Sequence, residues 1–209
     1  MEPLIEVENF VYAVASDSPT PGGGSVAGII GSLGAALGSM VCNFTAGKKK
    51  FAEYDKEASE AIHSLNNDIQ NLLELAEKDM RSYNLVGKAF QLPKSNDQEK
   101  KARSDAIEHA CEMALKAPFE VMKICKRLII QTSRISEYGN PMLDSDTAGA
   151  GILLHAAAET AFYCVHANLP FIKNEEKNQN ISKSINEIIQ ETKKEKDIIL
   201  ARVTFRMNL

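Results

Sequence analysis

Asp79 and Tyr83 stand one helical turn apart at the polar end of an otherwise apolar repeat. By residue type and spacing they are the pair in this chain best suited to moving protons. The repeat runs Ala58, Ile62, Leu65, Ile69, Leu72, Ala76, Asp79, Tyr83 and Val86, in alternating steps of 4 and 3. That is a heptad seam along one face of a helix. Carried forward, the seam puts a carboxylate where an apolar residue is expected, and a carboxylate facing a core is costly unless it is paired or used. Asp79 and Tyr83 then share one wall of a pocket, which suits acid–base chemistry. The alternative is a helix that drifts, so that Met80 takes the core position and Asp79 is solvated.

The second chemical feature is Pro21-Gly22-Gly23-Gly24-Ser25, which opens an uncharged run from Val26 to Ala46. Three glycines let backbone lie close against another group, and Ser25 is a good N-cap for a following helix. Free N–H groups at a helix start attract anions, so the loop reads either as a ligand site or as a plain turn before a core helix. It is not a Walker loop, because Gly28 is followed by Ile29-Ile30 in place of Gly-Lys-Ser/Thr. Gly22-x-Gly24-x-x-Ala27 resembles a dinucleotide fingerprint only weakly, since that motif must follow a strand and the preceding segment reads as a helix.

Other chemistries find little here. The four histidines, His63, His109, His155 and His166, form no HExxH or similar set. Cys42, Cys111, Cys125 and Cys164 match no zinc spacing and read as buried reduced thiols of a cytoplasmic protein. No Gly-x-Ser-x-Gly elbow exists, and no Ser or Cys pairs with a nearby His. Net charge is −4, aromatics are 6% and Trp is absent, which argues against a nucleic-acid or membrane-surface partner. Met1-Glu2-Pro3 is acidic, so no signal peptide is expected.

These residues need elements to position them. Leu4, Val7, Val11 and Val14 suggest a short first helix, although Phe10, Tyr12 and Val14 also alternate as in a strand. In the run after Ser25, Val26, Ile29, Ile30, Leu33, Leu37, Met40, Val41 and Phe44 make one apolar stripe, and Gly28, Gly31, Ser32, Ala35, Gly38, Ser39 and Cys42 make a small-residue side. Such a helix forms only where neighbours press on it, because each Gly costs about 1 kcal/mol against Ala. It is expected to be central and touched on two sides. Its 26 residues from Gly22 to Gly47 could span a bilayer, and Gly34-x-x-x-Gly38 is a membrane-dimer pattern; a buried core helix is preferred, since no second span supports the membrane reading. Phe51 to Val86 is one long helix, and Gly87 to Asp97 is a break. Ser95 with Gln98 is a capping box for a helix to about Ser136, kinked at Pro118. Asp144-Ser145-Asp146 caps an alanine-rich helix to Asn168, and a last amphipathic helix carries Ile181 to Ile199. The expected fold is all-α: a single domain over residues 1–209, a bundle of about six helices with a central Gly/Ala-rich helix and a long heptad-like one.

Ser18-Pro19-Thr20-Pro21-Gly22-Gly23-Gly24-Ser25-Val26-Ala27, Gly34-Ala35-Ala36-Leu37, Met40-Val41 and Gly47-Lys48-Lys49-Lys50 together resemble the formiminotetrahydrofolate cyclodeaminase / methenyltetrahydrofolate cyclohydrolase family. Asp79, Tyr83, Pro93, Ala117-Pro118, Gly139-Asn140-Pro141 and Ser145-Asp146 follow in order, so the resemblance covers about Leu4 to Pro170. One departure is Asp144-Ser145-Asp146-Thr147-Ala148, where the family pattern reads Ser-Asp-Ala; both Asp144 and Asp146 stay candidates. The resemblance implies a cytoplasmic homodimer that converts 5-formiminotetrahydrofolate to 5,10-methenyltetrahydrofolate with loss of ammonia, without metal or cofactor. Its close rival is the cyclohydrolase, in which water opens the methenyl bridge to give 10-formyltetrahydrofolate. Asp79 would be the main acid–base group, with Tyr83, Asn140 and Asp146 orienting the pterin. Asp144 and the Gly22, Gly23, Gly24 and Ser25 loop would pack against the ligand, and Lys48 and Lys49 would meet its glutamate carboxylates. Without the resemblance, the lysines read as a solvated cluster offsetting a helix dipole. A rival outside enzymes is a helical interaction protein whose small-residue helices serve only packing.

Overall fold

The computed structural model describes residues 3–208, with side chains from residue 6 onward, so Met1, Glu2 and Leu209 lie outside the described residues. The described residues hold seven α-helices and no strand: α1 (Pro3–Val14), α2 (Gly23–Asn43), α3 (Asp55–Phe90), α4 (Asp97–Ala114), α5 (Lys116–Tyr138), α6 (Asp144–Asn168) and α7 (Glu175–Met207). The strand reading of residues 10–14 gives way to helix. The stretch expected as one kinked helix is two, because the chain turns at Leu115 before Pro118 enters α5. Its start is capped one residue later than expected: the Asn96 side chain accepts from the Glu99 N–H, and the Glu99 carboxylate accepts from the Ser95 N–H. α3 begins at Asp55, later than Phe51, since residues 49–54 wind as a 3₁₀ turn broken at Phe51.

α2 lies between α3 and α6, central and touched on two sides as expected, with its small-residue face inward. Gly24, Ser25, Ala27, Gly28, Gly31, Ser32, Gly34, Ala35 and Gly38 are buried. Leu33 and Phe44 are each 53% exposed, and Val26, Ile29, Ile30, Leu37 and Met40 are half-buried. The reason is close approach. A Cβ at Gly28 would come within 2.8 Å of the Leu72 carbonyl on α3, and one at Gly34 within 2.9 Å of Leu154 Cγ on α6. With backbones this close, dispersion is gathered from main chain and small side chains, and the larger residues are left on the outer face. α5 sits behind this layer and supplies much of the core through Val121, Met122, Cys125, Leu128 and Ile129. Both α2 and the stretch Pro141–Phe171 are long and apolar enough to cross a membrane; a second such segment, which the sequence reading did not find, therefore exists.

Candidate active site

The α3 seam holds to its polar end. Ala58, Leu65, Leu72 and Ala76 are buried, and the next seam residue, Asp79, turns its half-buried carboxylate toward the start of α2. Met80 does not displace it. Ser25 is not the cap of α2: the helix begins at Gly23 with Gly22 as N-cap and no side-chain cap. The Ser25 hydroxyl instead lies 3.1 Å from both the Ala76 carbonyl and Asp79 Oδ2. Asp79 thus occupies the anion position at the positive end of α2, supplied from a neighbouring helix. Gly24 is required for this, because a Cβ there would sit 2.1 Å from Asp79 Oδ1.

Two opposing influences act on this carboxyl. Burial raises its pKa above the ordinary carboxylate range, and the Ser25 hydrogen bonds oppose the shift only in part. A carboxyl shifted upward both takes a proton and returns it more readily near neutral pH. It faces a cavity of about 190 Å³ walled by Pro19, Gly22–Gly24, Tyr83, Pro118, Cys164 and Asn168. Drug-sized ligands need about 300–1,000 Å³, so a ligand with its reacting edge at Asp79 must extend beyond this space. Tyr83 lines the cavity but is 47% exposed. Cys164, pushed up to about 11 by burial and by the Asp79 charge, is held as a thiol and is no nucleophile.

The remaining predicted residues lie elsewhere. α2 carries the chain about 30 Å from the glycine corner to Lys48 and Lys49, which are exposed. Asn140 sits at that same far end: its N–H bonds Thr45 Oγ1 at 3.0 Å, and its side chain meets the Phe44 carbonyl and the Met142 N–H. It ties the turn between α5 and α6 to the end of α2. Asp144 is buried against the guanidinium of Arg206 on α7, so it is an internal ion pair and neither caps α6 nor faces a ligand. Asp146 is half-buried in the first turn of α6. Within one chain, then, Asp79, Tyr83, Ser25 and the glycines are brought together, and Lys48, Lys49, Asn140, Asp144 and Asp146 are not among them.

The sequence reading missed Cys164 and Asn168 as cavity residues. They lie on one face of α6, four apart, and Asn168 donates to the Cys164 carbonyl; only the position of that helix reveals them. It also missed Asp68, a buried carboxylate one residue off the seam, which Arg127 clamps at 2.7 and 2.8 Å. No three His, Cys, Asp or Glu side chains gather into a metal-holding group among the described residues.

Comparisons with known proteins bear on the chain as a whole. The pattern describing the formiminotransferase-cyclodeaminase family matches residues 6–187. A methenyltetrahydrofolate cyclohydrolase of Methylorubrum extorquens is 35% identical over 162 residues, covering 78% of each chain. A formimidoyltransferase-cyclodeaminase of Gallus gallus is 31% identical over 192 residues, covering 92% of this chain and 36% of that longer protein. Among solved structures, formiminotetrahydrofolate cyclodeaminase from Thermotoga maritima superposes with a TM-score of 0.78 at 29% identity, covering 97% of this chain and 95% of that one.

Proposed function

Since the chain belongs to the formiminotransferase-cyclodeaminase family, we propose that it is a folate one-carbon enzyme closing 5-formiminotetrahydrofolate to 5,10-methenyltetrahydrofolate, with Asp79 as the proton-transferring group. The observation that carries the reading is the half-buried Asp79 carboxylate, fixed by Ser25 beneath a glycine backbone and open to a cavity. N10 attacks the carbon of the protonated N5-formimino group (N5–CH=NH₂⁺), the new C–N bond forms as the C=N π pair moves to the exocyclic nitrogen, and the N10 proton passes to the carboxylate. The carboxylic acid then returns a proton to the exocyclic nitrogen. The C–N bond to that nitrogen breaks, ammonia leaves, and the methenyl cation remains beside a carboxylate that stabilises it. Tyr83 and the Gly22–Gly24 backbone flank the pterin.

The Methylorubrum relative supports a second reading, the cyclohydrolase, in which Asp79 takes the proton of an attacking water on the methenyl carbon. Offering the purified protein each substrate, while following methenyl absorbance and ammonia release, separates the two. Ammonia released with a rise in methenyl absorbance establishes the first, and hydrolysis alone establishes the second. Turnover of neither overturns both.

The enzyme is further proposed to act as a homodimer, paired through the outer face of α2. Leu33, Phe44 and their half-buried neighbours form an apolar strip the length of the helix. The strip runs from an acidic end, with Glu6, Glu8 and Asp17 nearby in the chain, to the basic Lys48–Lys50. An antiparallel, isologous pairing joins unlike charges and opposed helix dipoles. It also brings Lys48 and Lys49 of one subunit toward the glycine corner of the other, which has no cation in its own wall.

A further inference from the structure

α1 carries an apolar face that its own chain leaves bare. From Glu6 to Val14 no residue is buried, and only Phe10 and Ala13 are half-covered. Val7, Val11 and Val14, spaced i, i+4 and i+7, form one stripe, and all three are exposed. At about 100° per residue, Glu6 and Glu8 fall on opposite sides of that stripe. The helix therefore presents an apolar ridge with an acid on each flank.

A groove of the complementary kind runs along α3, closed on its far side by the end of α4 and the start of α5. It encloses about 530 Å³, and Leu75, Leu85, Met113 and Ala117 make its floor. Lys78 and Arg81 stand on the α3 bank and Lys116 on the α5 bank. In a chain of net charge −4 this is a local excess of positive charge, since the lining acid Glu120 is held by Lys123 at 2.5 Å. Lys116 makes no ion pair among the described residues, and its ammonium lies 3.1 Å from the Met113 sulfur. Lys78 and Arg81 reach only Glu74 and Glu77, one turn back on their own exposed helix face. Such surface pairs are worth little and exchange readily. The lengths agree as well: from Leu75 to Leu85 α3 rises about 15 Å, and α1 as a whole rises about 18 Å. A smaller hollow of about 280 Å³, which shares Leu75, Lys78 and Glu120, continues the groove toward Asn71. α3 turns Leu72 and Asp79 toward α2, and Leu75 and Ser82 toward the groove. The groove is thus separate from the Asp79 cavity and from the outer face of α2.

We propose that this groove seats α1 of a second copy of the chain, with the valines on its apolar floor and Glu6 and Glu8 reaching the cations on its two banks. A chain's own α1 joins the fold through Pro19, Thr20 and Gly22, which wall the Asp79 cavity, whereas the groove opens on another face of α3. Every chain carries both halves, so two copies can exchange the contact. Three valines make a small seat. The contact is weak, is caught by trapping at high protein concentration, and needs neither the folate reaction nor the α2 pairing. The test mixes full-length Val11→Cys with full-length Leu85→Cys under mild oxidation and separates the products on a non-reducing gel. The mixture should yield at least tenfold more covalent dimer than either variant alone or wild type, whose own cysteines are buried or half-buried. Adding Lys78→Glu and Lys116→Glu to the Leu85→Cys chain should cut that yield severalfold, and adding Glu6→Lys and Glu8→Lys to its partner should restore it. Salt should lower the yield of the unaltered pair. Each variant is checked for an unchanged melting temperature. In wild type the Met113 methyl NMR signal should shift as protein concentration rises, a readout that needs no variant. No excess of covalent dimer in the mixture, or no recovery on swapping the charges, overturns the proposal. So does a chain with both cysteines that closes on itself at high dilution, because α1 then lies in its own groove. Faster pairing of Val11→Cys with Leu33→Cys overturns it too, because α1 then lies on the partner's α2 strip.

Discussion

The two ends of α2 carry the same kinds of residue and build opposite things. At the start, a carboxylate, a serine and three glycines converge, the acid is half-buried, and its surroundings move its pKa. At the end stand two acids, an asparagine and three lysines, but most of these polar groups are spent or solvated. Asp144 is neutralised by Arg206 and Asn140 is absorbed in turn hydrogen bonds, while the lysines are exposed. A cluster of reactive residue types therefore says little until one knows which groups remain unsatisfied. Asp79 keeps an oxygen open to a cavity, whereas Asp144 gives both of its oxygens to one guanidinium.

The contrast breaks most sharply under substitution. Asp79→Asn should lower turnover by about 10²–10⁴-fold, the usual share of acid–base catalysis, while circular dichroism and melting change little. A variant that turns over at the wild-type rate would remove Asp79 from the chemistry. Gly24→Ala should fall nearly as far without touching a titratable group, because its new methyl must displace the carboxylate it would otherwise overlap. Its melting temperature drops as well. At the other end the effect reverses: Asp144→Asn should cost about 3 kcal/mol of stability, the low end for breaking a buried pair because Arg206 keeps some water contact, and kcat of the folded fraction should hold. Urea midpoints and single-turnover rates measured on the same samples decide between these outcomes.

Much of the first end was legible. The heptad count alone placed Asp79 on the buried side of α3, since side-chain direction in a helix follows from spacing. The glycine run marked a close approach, and its partner on the other helix turned out to be the carboxylate itself. What stayed hidden depended on helices far apart in sequence. Ser25 has the type of an N-cap, but its hydroxyl is claimed by α3, so local propensity lost to a tertiary hydrogen bond. The orientation of α2 stayed hidden for a related reason. A stripe of Val, Ile and Leu normally seeks the core, yet here the small face packs so closely on α3 and α6 that it takes the interior. Arg206 lies 62 residues beyond Asp144, and nothing near Asp144 announces that pairing.

A smaller effect is read through pH. Folding raises the Asp79 pKa, so the folded state holds that proton more tightly than the unfolded chain does. The sign follows from linkage: as pH climbs from the ordinary carboxylate range through the raised value, this group subtracts stability, and below that range its contribution is constant. Urea midpoints of wild type should therefore fall relative to Asp79→Asn across that window and run parallel to it below. Parallel curves throughout would mean that burial does not govern this acid.

The smallest effect asks whether the far end serves a site at all. In an isolated subunit Lys48 and Lys49 lie about 30 Å from Asp79, too far to share one pterin, so their substitution there should change nothing. If two α2 helices pair antiparallel through Leu33 and its neighbours, each lysine cluster instead reaches the partner's glycine corner. A Lys48→Ala, Lys49→Ala double variant then loses part of its rate, and an Asp79→Asn variant loses nearly all. Co-refolding the two should restore activity above the sum of the separate samples, since half the sites in a mixed dimer receive an intact carboxylate from one chain and intact lysines from the other. Leu33→Glu places a charge in the centre of the outer strip, and it should return the protein to monomers by sedimentation and abolish the recovery. If the mixture performs only as the sum of its parts while sedimenting as a dimer, the lysine end of α2 is a solvated terminus, and the chemistry belongs to the glycine end of a single chain.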